Sequence, residues 1–368
     1  MQRSLLIFEN SLKSEVTRKD YKYYLDIFIS FYKIKDYNSL AGIEMEKLQI
    51  MVEDYVMDLK KRVNPNSVPT YLYAVQAFLE SNDIELRWRK IRRLYPAKVK
   101  ISGTKPYTNK QIQTLLEYTL SLRNKAIIHF LASSGVRVGA LADLKIKHIQ
   151  SMPMECKAVT IYEESKEEYV TFLTPEASKA LDSYIEQRRA DKEYLDDESP
   201  LFRTTYKIGF LQAKPMSRRA IINVVERIVN RTGIRTKKTG KRYETQLDHG
   251  FRKRFDTIME LNSQVKESIS EKLMGHSDGT RGRYVNPTIE KLFEEFKKVI
   301  PELTIDDSAR NQIQLEQKQK ENTDLQKKVS EIEELKQQRK QDKIDSERKL
   351  KEMFEEWTNA IFSKKPNF

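Results

Sequence analysis

The sequence predicts a mainly helical fold that carries one small antiparallel β-sheet. Three observations predict it. Apolar and aromatic residues recur at helical spacing near the start, as in Tyr21, Tyr24, Leu25, Phe28 and Tyr32. Two short β-branched or alternating runs, 158–162 and 169–173, flank the polar stretch Glu-Glu-Ser-Lys-Glu-Glu, which reads as an antiparallel hairpin. Residues 306–368 are rich in Lys, Glu and Gln and contain no glycine, which favours a long helix.

The first hundred residues read as helical throughout. Thr17 followed by Asp20 is a variant of the capping box, and the stripe from Tyr21 to Tyr32 follows it. A second helix is expected over about residues 43–61. Asn64-Pro65-Asn66 breaks the chain, and a third helix carries Tyr71, Leu72, Val75, Phe78 and Leu79. Periodic aromatics of this kind fill a helical core more often than they stack on bases. Arg87, Arg89, Lys90, Arg92 and Arg93 surround Trp88 in seven residues. Five cations so close together cannot all be buried, so several face either water or phosphate. Residues 95–107, with Pro96, Gly103 and Pro106, have linker character and mark a domain boundary.

In the middle of the chain, Thr108 with Gln111 offers a capping box for a helix carrying Ile112, Leu115 and Leu116. The apolar stretch near 122–133 should be central to a second core. It runs into Ser-Ser-Gly-Val-Arg-Val-Gly, where Gly135 and Gly139 flank Arg137. Arg137 is thus either a surface arginine at a helix end or a group held where backbone approaches a ligand closely. Lys166 stands at the hairpin tip among four glutamates. Thr174-Pro175 starts a helix to about residue 189, and Ser217 starts another that ends at Thr232-Gly233. The basic loop 235–242 includes Lys237, Lys238, Lys241 and Arg242, which are solvated or track a phosphate backbone.

Next come His249-Gly-Phe-Arg252, then Leu-Met-Gly-His276-Ser, then Tyr284, the last tyrosine of the chain. His249 and Arg252 share one face if the segment is helical. Gly279 and Gly282 precede Tyr284, and Asn286-Pro287 is expected to open the following helix. Leu292, Phe293 and Phe296 form an amphipathic stripe, and Pro301 and Asp306-Asp307 mark a break. In the tail, Leu315, Leu325, Val329 and Ile332 fit a heptad-like seam that Lys318 and Asn322 interrupt. Met353, Phe354, Trp357 and Ile361 form a terminal apolar stripe, expected to serve assembly.

Length and charge bound the partners. A chain of 368 residues exceeds the roughly 250 at which single cores stop growing. Three parts are expected: a helical domain over 1–100, a second domain over 101–305 and a charged tail over 306–368. The net charge is +13, and the tail holds 14 Lys or Arg against 14 Asp or Glu, so the whole excess lies before it. A basic body favours a polyanion, nucleic acid ahead of an anionic membrane. The single Cys156 excludes an internal disulfide, no run is apolar enough to cross a bilayer, and MQRSLLIFEN is too short for a secretory signal. A soluble, cytoplasmic protein is expected. No clustered carboxylates or Cys/His pairs suggest a metal, and no glycine-rich phosphate loop suggests a nucleotide cofactor.

The order Gly-Val-Arg137, Lys166 in a hairpin, His249-x-x-Arg252, Gly-His276-Ser and Tyr284 resembles the tyrosine recombinases, the phage-type integrases and Xer-like enzymes, with an archaeal flavour. The resemblance covers residues 15–300. Ala140 stands where members often carry an acidic residue, and the His276–Tyr284 gap is one residue shorter than in bacterial members. The resemblance implies a tyrosine-recombinase catalytic fold behind an N-terminal core-binding domain. It also implies strand cutting and rejoining through a 3′-phosphotyrosine, with no ATP or metal, in a DNA-associated homo-oligomer on double-stranded DNA.

Each residue type suits that chemistry. Two arginines, Arg137 and Arg252, can hold the charge that builds on the non-bridging oxygens. A phenol with a pKa of about 10 needs a base or a cationic field before it attacks, and His249 is the proton acceptor of choice. His276 can hydrogen-bond the phosphate, and Lys166 can protonate the leaving sugar oxygen. A type IB topoisomerase would use the same groups. A DNA-binding accessory protein that has lost catalysis would also keep several of them.

Overall fold

The computed structural model describes residues 2–99, 105–205, 213–235, 238–239, 242–276 and 287–362. The chain divides into two compact units, Met1–Ile101 and Ser102–Phe368.

The first unit holds six α-helices among its described residues: Arg3–Ser11, Glu15–Phe31, Tyr37–Ala41, Met45–Arg62, Val68–Ser81 and Trp88–Arg93. Leu25, Phe28, Tyr55, Leu72 and Phe78 are fully buried in one core, with Tyr21, Tyr32 and Tyr71 packed against it. The periodic aromatics therefore build the interior. The second helix begins earlier than the Thr17–Asp20 pattern suggests. Ser14 is its cap and accepts from the Thr17 N–H at 3.4 Å. The Trp88–Arg93 helix turns Trp88 and Ile91 inward and leaves Arg87, Arg89, Lys90, Arg92 and Arg93 exposed.

In the second unit the capping box at Thr108 is complete. The Gln111 N–H donates to the Thr108 hydroxyl at 3.2 Å, and the Thr108 N–H donates back to Gln111 Oε1 at 2.9 Å. Thr108→Ala should lower the stability of this unit by about 1 kcal/mol, read as a shift in urea midpoint at unchanged slope. The next helix, Leu122–Ser134, lies almost wholly inside. It stops at Gly135, whose φ of +61° gives the left-handed turn that ends it.

A three-stranded antiparallel sheet follows in the order β1 (Ile149–Ser151), β2 (Lys157–Ile161) and β3 (Tyr169–Leu173). Val159 faces Thr171 and Ile161 faces Tyr169 in the hairpin register. The Thr171 hydroxyl donates to the Ser134 carbonyl at 3.1 Å, and the Thr174 N–H donates to the Ser133 hydroxyl at 2.7 Å. The sheet is thereby fastened to the end of the helix that precedes Arg137. Helices Pro175–Ala190 and Arg218–Thr232 carry side-chain caps at Thr174 and Ser217, as their sequences suggest. A short hairpin, Lys238–Thr239 with Arg242–Tyr243, leads to helices His249–Leu261 and Glu267–Leu273.

One boundary in this unit differs from the sequence reading. The helix after Tyr284 spans Ile289–Lys297 and is capped by Thr288, not opened by Asn286-Pro287. That frame buries Leu292, Phe293 and Phe296 on one face. The expected break near Pro301 and Asp306-Asp307 falls at residues 298–299 and 304–306, and Pro301 sits between them in the first turn of a short helix, Ile300–Leu303, where its missing N–H costs nothing. The last helix runs Asp307–Phe362, and Leu315, Leu325, Val329, Ile332, Met353, Phe354 and Trp357 are all exposed on it. Among the described residues, no helix is long and apolar enough to cross a membrane.

Candidate active site

Separate segments of the second unit meet around one small cavity. Its walls are Val136, Arg137, Val138, Gly139, Tyr162, Arg218, Asp248, His249 and Arg252, and its volume is about 150 Å³. Arg137 comes from the turn after the Leu122–Ser134 helix, where the backbone leaves the left-handed Gly135 in extended conformation. His249 and Arg252 come from the first turns of one helix, three residues apart, so both face the same cavity. Arg137 is exposed, His249 is exposed and Arg252 is buried.

Arg252 is held on several sides. Its guanidinium donates to the Gly135 carbonyl at 2.8 Å, the Met274 carbonyl at 2.7 Å and His276 Nε2 at 2.7 Å. Burial, and then the charge of Arg137, pull its pKa below the ordinary arginine value. The group remains a cation, since arginine is not deprotonated in proteins. Two like charges held this close, one of them desolvated, form a receptor for an anion. The aromatic wall responds to the same field. Burial raises the Tyr162 phenol while Arg137 opposes it, and burial raises the Tyr169 phenol while Arg252 opposes it.

The structure therefore brings Arg137, His249 and Arg252 to one cavity and joins His276 to Arg252 by a hydrogen bond. Lys166 lies in the exposed turn of the β2–β3 hairpin and does not line the cavity. Glu163, in the same turn, pairs at 2.8 Å with Lys147. Tyr284, Lys237 and Lys241 lie outside the described residues. Lys238 sits 4.8 Å from the Tyr243 ring, with Arg235 on that ring at 4.2 Å. Arg242 is in the strand paired with Lys238–Thr239.

The profile of the phage integrase family matches residues 106–290. That interval is just over half of the 368 residues, and it holds the whole set from Arg137 to Tyr284. The chain belongs to the phage integrase family. Among relatives, the tyrosine recombinase XerC of Lactobacillus leichmannii is 27% identical over 185 residues, 50% of this chain and 56% of that protein. The tyrosine recombinase XerA of Saccharolobus solfataricus is 24% identical over 245 residues, 66% of this chain and 70% of that one. The chain thus spans little more than half the length of the XerC relative. The structure of the Tn1549 transposon integrase in complex with a circular intermediate DNA matches with a TM-score of 0.52 at 13% identity, covering 81% of this chain and 100% of that one. The mainly helical unit with its small sheet is the tyrosine-recombinase fold.

Three further side chains line the cavity that the sequence motifs do not mark. Arg218 lines the cavity from the first position of its helix and packs its Cδ 3.4 Å from where a Cβ on Gly139 would stand. The only sequence hint was a cation directly after the Ser217 cap. Asp248 and Tyr162 also reach the walls, from beside His249 and from the first position past β2. Nothing in their spacing marks them.

Proposed function

We propose that this chain is a site-specific DNA recombinase that cuts and rejoins strands through a 3′-phosphotyrosine on Tyr284. The observation that carries the reading is the convergence of Arg137, His249 and Arg252 on one cavity, with Arg252 buried and held by backbone carbonyls. Arg137 and Arg252 grip the non-bridging oxygens of one phosphate and favour the extra charge of its five-coordinate transition state. His249 takes the phenolic proton of Tyr284, and His276 supports the phosphate beside Arg252. Lys166, on its exposed turn, swings in with DNA and protonates the leaving sugar oxygen. The new bond conserves the phosphodiester's energy, so religation runs without ATP.

The first unit serves as a core-binding domain. Its exposed cations Arg87, Arg89, Lys90, Arg92 and Arg93 track the DNA backbone, as do Lys237, Lys238, Lys241 and Arg242. Members of the family that this chain resembles carry the name tyrosine recombinase, and the tail with its Trp357 stripe joins copies on DNA. The test is a covalent trap. A library of nicked duplexes is incubated with the chain and run on denaturing gels, and the adduct is sequenced at its DNA end and mapped by peptide mass. A 3′-phosphate linked to Tyr284 is the expected product. No adduct from any duplex, or linkage to a different residue, overturns the reading. Strand exchange between two different duplexes then distinguishes recombination from topoisomerase action.

A further inference from the structure

We infer that Glu271 is a positioning residue that sets the tautomer and aim of His276. The inference deepens the proposed reaction and rests on it for its rate test only.

The pairing comes from how a helix ends. Helix Glu267–Leu273 closes with a hydrogen bond from the Gly275 N–H to the Lys272 carbonyl and one from the His276 N–H to the Glu271 carbonyl, both 3.0 Å. Gly275 takes φ +64° between them. These are the two bonds of the Schellman motif, which lays the third residue from the helix end beside the second residue past the cap. Those two side chains usually make an apolar contact. Here they are Glu271 and His276, and His276 Nδ1 lies 2.7 Å from Glu271 Oε2. Gly275 cannot be replaced freely, since a Cβ there would sit 2.4 Å from the Tyr169 ring.

Donor and acceptor rules then fix the ring. An ionised carboxylate only accepts, so Nδ1 carries the hydrogen. Arginine only donates, so Nε2, 2.7 Å from the Arg252 guanidinium, presents its lone pair. The free site thus holds the neutral Nδ1–H tautomer. A phosphate oxygen between Arg252 and His276 is, like Glu271, a group that only accepts. His276 can bond it through Nε2 while keeping Glu271 only if Nε2 gains a proton from water. Among the described residues, Arg252 from its helix and Glu271 from its own bond the ring, and Tyr169 from β3 lies beneath the neighbouring Gly275. Glu271 and His276 are each about a third exposed, at 34% and 36%, so solvent screens the pair and its effect is moderate.

Two measurements test the assignment. The chain has only four histidines, so long-range proton–nitrogen spectra of ring-labelled protein can resolve His276, identified by its loss in His276→Ala. Free wild type should show the Nδ1–H tautomer at pH 7.5, and Glu271→Ala should show a mixture. An Nε2–H tautomer in wild type, or an unchanged ring in Glu271→Ala, overturns the proposal whether or not the chain cleaves DNA. The second measurement is the trapping rate at pH 7.5. Glu271→Gln, whose amide oxygen still accepts from Nδ1–H, should keep most of the rate, whereas Glu271→Ala should be about three- to tenfold slower than wild type. The same variant in a His276→Ala background should add nothing. An equal loss in Glu271→Gln and Glu271→Ala would mean that accepting from the ring does not matter and would sink the idea. If wild type forms no adduct, the proposed reaction fails, and the spectra alone decide the role of Glu271.

Discussion

Arg252→Ala is expected to slow covalent trapping by about two to three orders of magnitude under single-turnover conditions, the usual loss when one preorganised donor to a transition-state oxyanion is removed. The buried guanidinium also joins the Gly135 and Met274 carbonyls, so the alanine variant should be less stable as well. Arg252→Lys separates the two effects. It keeps the charge but loses the planar fork that reaches two carbonyls and a phosphate together, so it should remain at least tenfold slow while recovering much of the stability. Arg137 offers the contrast. It is exposed, so Arg137→Ala should cut the rate by a similar factor at nearly unchanged melting temperature. Rates within a factor of two of wild type in both alanine variants would mean that the two arginines do not share a phosphate.

The difference between the two arginines marks the limit of sequence reasoning. What the sequence made legible was local chemistry: the Thr108, Thr174 and Ser217 caps, the β2–β3 hairpin, the uninterrupted tail helix. Each of these depends on residues within a few positions. The order of motifs then named Arg137, His249, Arg252 and His276. It could not tell why Arg252 and Arg254, two apart in Arg-Lys-Arg, have different tasks. Arg254 is buried on another face of the helix, where it donates to Asn109 Oδ1 and to the carbonyls of Ala132, Glu302 and Leu303. It joins distant segments, and only their packing reveals it. Glu271 was missed for a related reason, since its meeting with His276 follows from backbone closure at Gly275. The misplaced helix starts at Thr17 and Asn286 arose because several Ser, Thr and Asn residues compete for one cap. Burial of the apolar stripe chooses among them.

Gly135→Ala is expected to destabilise the second unit by about 2–5 kcal/mol, combining the roughly 1–2 kcal/mol cost of a left-handed alanine with the about 1–3 kcal/mol of forced overpacking. The first term follows from φ +61°. The second follows from the place a Cβ would take, 2.6 Å from two carbons of the Phe255 ring, which is fully buried and cannot swing away. Gly233 isolates the conformational term, because it has nearly the same φ, +64°, and a Cβ there would meet nothing within 4 Å. Gly233→Ala should therefore lose only the first part. Urea denaturation of both variants measures the difference, and equal losses would show that the Phe255 contact relaxes at no cost. A functional consequence follows from the same contact. The Gly135 carbonyl accepts from Arg252, and Arg137 is two residues further on, so relief of the clash displaces the seats of both arginines. Well below its melting temperature, Gly135→Ala should consequently trap DNA far more slowly than Gly233→Ala does.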